Sequence, residues 1–122
     1  MSKILIIEDN MDLAGLMQDL LVKSGFEVTV CYDGIQGREF ASKEKPDLVL
    51  LDLMLPGGGG FFVLENLQLS SLTQNIPVVV LTASKNPEHR QKAVEKGVAA
   101  FVEKPYDNQQ LLSIIRGVIS QK

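Results

Sequence analysis

Leu48-Val49-Leu50-Leu51-Asp52-Leu53-Met54-Leu55-Pro56 is the stretch whose reading decides the fold. Four apolar residues run without polar alternation into a carboxylate. A strand apolar on both sides is one covered on both faces, which is the habit of a parallel sheet packed between helices. Four residues are too few for a core helix. Pro46 punctuates the chain before the run, and Pro56 with Gly57, Gly58, Gly59 and Gly60 punctuates it after.

Outward from this stretch the same unit recurs. Toward the N-terminus, residues 4–7 form an apolar run stopped by Glu8 and Asp9. Leu13, Leu16, Met17, Leu20 and Leu21 follow at helical spacing, and Gly25 suits the stop. Residues 28–31 predict a second strand. Asp33 with Gln36 reads as an N-cap pair opening a helix whose apolar side is Ile35, Phe40 and Ala41. Toward the C-terminus, the four glycines predict a permissive loop and residues 61–69 a helix. After Pro77, residues 78–81 predict a strand. Asn86, Pro87 and Glu88 suit the cap, first position and first turn of a helix that Gly97 closes. Residues 99–102 give a shorter strand. Asp107 with Gln110 opens a last helix that buries Leu111, Leu112, Ile115, Val118 and Ile119.

Five strand–helix units in 122 residues predict one α/β domain over residues 1–122, an open doubly wound parallel sheet. An eight-unit barrel needs about twice the chain. An apolar share of 45% supplies the core, and a net charge of -3 with no basic stripe argues against a nucleic-acid binder. One cysteine, Cys31, cannot make an internal disulfide, and no apolar run approaches a membrane span. The expectation is a cytoplasmic protein.

Ligands of such sheets bind beyond the carboxyl ends of the strands, near the point where strand order reverses. Glu8 and Asp9 follow the first strand, Asp52 the third, Thr82 the fourth, and Lys104 with Pro105 the fifth. Singly, each has a bland reading: an acidic residue after a strand often only caps a helix, as Asp9 or Asn10 could here, and a lone lysine is usually solvated. Together they place three carboxylates, a hydroxyl and an amine on one edge. Clustered carboxylates repel unless one holds a proton or a cation binds. Mg2+ commonly pairs carboxylates with phosphate oxygens, and a carboxylate can itself accept a phosphoryl group.

With those residues in place, the chain resembles the response-regulator receiver family over essentially its whole length. Glu8-Asp9 is similar to the family's acidic pair, Asp52 with the residues after it to the phosphoacceptor segment, and Leu81-Thr82-Ala83 to the hydroxyl switch segment. Phe101 resembles the aromatic switch, and Lys104-Pro105-Tyr106 the lysine and its following proline. Thr82 lies 30 positions after Asp52 and Lys104 lies 52 after it, as in the family. The resemblance implies a flavodoxin-like sheet of order 2-1-3-4-5 and a switch set by phosphorylation of Asp52. It implies Mg2+ held directly by Asp9 and Asp52, by the backbone carbonyl of Met54, and through water by Glu8. Thr82 and Lys104 would contact the phosphoryl group, Thr82 and Phe101 would switch, and the bond before Pro105 would be cis. The implied phosphodonor is a histidine kinase or a histidine phosphotransfer protein, and the implied output surface, a potential homodimer face, is the fourth helix, fifth strand and fifth helix.

Three positions depart from the family pattern. Gly59 stands where a polar residue is common, and Ala99 and Ala100 stand where the winged-helix branch often carries acids. His89 reads as a surface histidine. Met54 and Ser84, two positions beyond Asp52 and Thr82, border the approach of a hydrolytic water, and predict slow loss of the phosphoryl group. A flavodoxin-like cofactor binder is the competing reading, but the acidic turn at residues 8–12 would repel a phosphate. An interaction module without phosphorylation would usually have lost one of these positions, and a phosphatase acting on other substrates lacks an evident substrate domain.

Overall fold

A computed structural model describes residues 1–55 and 59–121. The elements alternate strictly: β1 (Lys3–Ile7), α1 (Met11–Lys23), β2 (Glu27–Cys31), α2 (Gly34–Glu44), β3 (Leu48–Asp52), α3 (Gly59–Leu69), β4 (Val78–Thr82), α4 (Pro87–Glu95), β5 (Ala100–Glu103) and α5 (Asn108–Ser120). All strand pairings are parallel, in the order β2-β1-β3-β4-β5. The chain steps outward from β1 to β2, then returns to the other side of β1 for β3. The carboxyl ends of β1 and β3 therefore flank the reversal point.

The uninterrupted apolar runs have a simple cause in the packing. Successive residues of one strand feed opposite layers. Leu5, Ile7, Val49, Leu51, Val78 and Val80 pack with Ala41 of α2 and with Val63, Leu64 and Leu67 of α3. Ile4, Ile6, Leu48, Leu50, Val79 and Leu81 pack with Met17 and Leu21 of α1 and with Leu111, Leu112 and Ile115 of α5. Every residue of β3 and β4 is buried, as central strands of a covered sheet must be.

Helix caps follow the short polar side chains. Asn10 Oδ1 accepts from Leu13 N–H, Asp33 Oδ1 from Gln36 N–H, Asn86 Oδ1 from Glu88 N–H, and Asp107 Oδ1 from Gln109 N–H. The Asp107 bond goes to Gln109, one residue short of the expected Gln110. Not every periodic apolar position is inside. Ile35 is exposed, and α2 packs instead through Gly37 and Ala41; Leu13 and Leu16 are exposed on α1.

The glycine run corrects the sequence reading. Gly59 and Gly60 open α3 rather than lying in a loop; Pro56, Gly57 and Gly58 lie outside the described residues. Gly59 has a φ of +73°, which favours glycine. Gly60 sits directly on the chain beyond β3. Its N–H donates to Leu53 O at 2.7 Å, and a Cβ there would meet Leu53 Cα at 2.5 Å and Asp52 O at 2.6 Å. These neighbours are backbone and cannot rotate away. Gly60→Ala should therefore cost about 2 kcal/mol or more, the scale of core overpacking. A thermal midpoint within a degree of wild type would contradict that close approach.

Candidate functional site

The β1 end supplies Glu8, buried at 1% exposure, and Asp9, exposed. Because Asn10 caps α1, Asp9 is not spent on the helix. Asp52 is the buried last residue of β3, and Thr82 the fully buried last residue of β4. Lys104 follows β5, and the Lys104–Pro105 peptide bond is cis. One carboxylate oxygen from each of Glu8, Asp9 and Asp52 lies within 4.8 Å of the others. Lys104 Nζ is 3.0 Å from Glu8 Oε1 and 3.7 Å from Asp52 Oδ2. Met54 N–H donates to Asp52 Oδ1 at 3.0 Å, while the Met54 side chain points to solvent, 54% exposed. Thr82 Oγ1 accepts the Ser84 N–H at 3.0 Å.

Phe101 stands slightly apart from this cluster. It pairs with Val80 in the β4–β5 register, one pleat before the Thr82–Glu103 pair on the same sheet face. It is half-buried against the core, with the Arg90 guanidinium 5.4 Å from its ring centroid. The sequence reading missed two features. The pairing of Lys104 with buried Glu8 spans 96 positions and has no local signal. His89 is half-buried rather than a free surface residue, and its Nδ1 lies 2.6 Å from Ser84 Oγ. The short spacing from Ser84 to His89, across a cap and into a first helical turn, was the available clue.

The cluster is electrostatically costly. Burial, then the neighbouring Asp52 carboxylate, pushes Glu8 up to about 7, against the pull of Lys104. Burial disfavours the charge on Lys104, but Glu8 and Asp52 outweigh it and raise its pKa. In the metal-free protein Glu8 thus binds its proton more tightly folded than unfolded. Its contribution to stability is full below about 4.5 and is lost as pH rises toward about 7. Urea unfolding in a chelator should show wild type losing stability across that window and Glu8→Gln losing less. Parallel pH profiles for the two would remove Glu8 as the cause.

Hard oxygen donors gathered around a repelling triad are the donor chemistry that a small divalent cation satisfies. The residues present fit such an ion. Residues 4–116 match the Response regulator receiver domain family. The chain belongs to that family. It is a receiver, a phosphoryl-accepting switch of two-component signalling. The receiver is 34% identical over 98% of its length to the DNA-binding dual master transcriptional regulator RpaA of Synechocystis sp., covering 49% of that protein. It is 33% identical over 96% of its length to the phosphate regulon transcriptional regulatory protein PhoB of Escherichia coli, covering 51%. The receiver thus spans about half the length of these curated relatives. The solved receiver domain of a sensor histidine kinase from Pseudomonas aeruginosa superposes with a TM-score of 0.88 at 26% identity, over 98% of each chain. That structure has a magnesium ion coordinated in its active-site cleft. Among the described residues of this receiver, no helix is long and apolar enough to cross a membrane.

Proposed function

We infer that Asp52 is the phosphoryl acceptor, and that Mg2+ is bound by Asp9 and Asp52 directly, by the Met54 carbonyl, and through water by Glu8. The observation that carries this is the convergence of three carboxylates within 4.8 Å, with the Lys104 ammonium on the same edge. Asp52 attacks as its carboxylate: a new P–O bond forms to Asp52 as the bond from phosphorus to the donor breaks. The bonding electrons leave with the donor, either an imidazole or a small acyl phosphate's carboxylate. Mg2+, when bound, offsets the charge gathering on the phosphoryl oxygens. Lys104 supplies a fixed positive charge at the same point, and the Thr82 hydroxyl supplies a hydrogen-bond donor. The Glu8–Lys104 ion pair keeps Lys104 directed at Asp52 and sets Glu8 back from direct metal contact. With Mg2+ bound, these residues need only a phosphodonor to gain the group, and only a water attacking phosphorus to lose it as inorganic phosphate.

The phosphodonor fits a histidine kinase or a histidine phosphotransfer protein. The output fits the surface of α4, β5 and α5, where a change at Thr82 reaches Phe101, whether that surface meets another domain or a second copy. Its weak point is α4, of which Ala93 is the buried residue. The test is intact-mass spectrometry after incubation with acetyl phosphate. Gain of one phosphoryl group with Mg2+, and none after chelation, is expected. Labelling that ignores Mg2+ would sink the assignment.

A further inference from the structure

A chain of hydrogen bonds leads away from the acceptor cluster into α4. Ser84 N–H donates to Thr82 Oγ1 at 3.0 Å, Asn86 N–H donates to Ser84 Oγ at 3.2 Å, and Ser84 Oγ lies 2.6 Å from His89 Nδ1. The hydroxyl at the end of β4 is thereby tied to the first turn of α4. The His89 ring also meets Phe61 of α3 edge-on, with centroids 5.9 Å apart and planes at 67°.

The hydrogen count restricts what Ser84 can do. A serine hydroxyl has one proton and two acceptor lone pairs. Asn86 N–H occupies one lone pair. With a neutral imidazole whose Nδ1 accepts, the single Ser84 proton is committed to His89 and is not available toward Asp52. The apolar burial of α4 is thin: Ala93 is its buried residue and Val94 is 62% exposed. Drawing Thr82 toward a phosphoryl group on Asp52 pulls Ser84 with it through the Ser84 N–H. That pull loads both contacts of Ser84 Oγ, the one with His89 Nδ1 at 2.6 Å and the one from Asn86 N–H at 3.2 Å, and the side chain of His89 is the one that substitution can remove.

We propose that His89 is a positioning residue for the reaction at Asp52: it holds the Ser84 hydroxyl, and the turn around it, in the arrangement of the unphosphorylated domain. This rests on reading Asp52 as the acceptor and Thr82 as the hydroxyl that meets the phosphoryl group. Occupation of Asp52 then works against the Ser84–His89 bond, and the sequence sets the resting bias of the switch by the strength of that one contact.

The probe is beryllofluoride with Mg2+, a stable mimic of the phosphoryl group, titrated against the whole chain. His89→Phe keeps a ring against Phe61 but has no acceptor for Ser84. It should bind the probe roughly threefold to tenfold tighter than wild type, the worth of one hydrogen bond. His89→Asn restores an acceptor near the place of Nδ1 and should return close to wild type. In a Ser84→Ala background His89→Phe should change nothing further. In wild type, imidazole nitrogen resonances should show Nδ1 accepting a hydrogen bond, and lose that signature when the probe binds. Equal or weaker binding by His89→Phe, additive effects with Ser84→Ala, or imidazole resonances that ignore the probe would each overturn the role of His89. Probe binding that survives Asp52→Asn would instead overturn the acceptor reading beneath it.

Discussion

Asp52→Asn should abolish phosphorylation by acetyl phosphate, with no labelled protein where wild type gains one group. The amide nitrogen's lone pair is delocalised into the carbonyl, and the neutral amide oxygen is a far weaker nucleophile than a carboxylate. The fold should survive, because the change is nearly isosteric. Met54 N–H can still donate to an oxygen at this position, as it does to Asp52 Oδ1 at 3.0 Å. The substitution also lightens the repulsion beside buried Glu8, so the metal-free domain should be no less stable than wild type. Loss of labelling together with loss of cooperative unfolding would mean only that Asp52 is needed for folding. Full labelling in a folded Asp52→Asn would mean that another residue is the acceptor.

How much of this was legible in the sequence depends on whether the deciding forces are local. The sheet was readable because burial on both faces leaves unbroken apolar runs at residues 4–7, 48–51 and 78–81, and because Asn10, Asp33, Asn86 and Asp107 mark helix starts one by one. The strand ends then indicated where Glu8, Asp9, Asp52, Thr82 and Lys104 would gather, since a parallel sheet puts all its carboxyl ends on one edge. What the sequence hid was contact at a distance. Gly59 and Gly60 look like loop residues until β3 is placed beside them. Gly60 is then seen to be required by the backbone at Asp52 and Leu53. Ile35, at an apolar helical position, is 64% exposed because Gly37, over which Ile7 lies, brings α2 close to the sheet on a different side. His89 looks like a solvated residue until Ser84 and Phe61 are found against it. In each case the missing information was the identity of a neighbour remote in space, not a propensity.

Asp9→Asn should weaken Mg2+ binding by more than about tenfold. Changes to residues that only orient metal ligands typically cost 10- to 100-fold, so loss of a charged direct ligand should cost at least that scale. Asp9 is exposed at the rim, and its carboxylate is within 4.8 Å of those of Glu8 and Asp52. Glu8 is differently placed: it is buried and engaged by Lys104 at 3.0 Å, so Glu8→Gln should weaken the ion less than Asp9→Asn does. The same Asp9→Asn change should act on the empty fold with the opposite sign. Three carboxylates without a cation repel, and neutralising one relieves the other two. The metal-free variant should therefore unfold at an equal or slightly higher temperature than wild type, and should gain less stability than wild type when Mg2+ is added. Calorimetric titration gives the affinity, and thermal unfolding with and without chelator gives the two signs. Unchanged Mg2+ affinity in Asp9→Asn would move the ion away from this cluster. A variant destabilised without metal would mean that Asp9 serves the fold, and that the acidic edge is not held under strain for the sake of a cation.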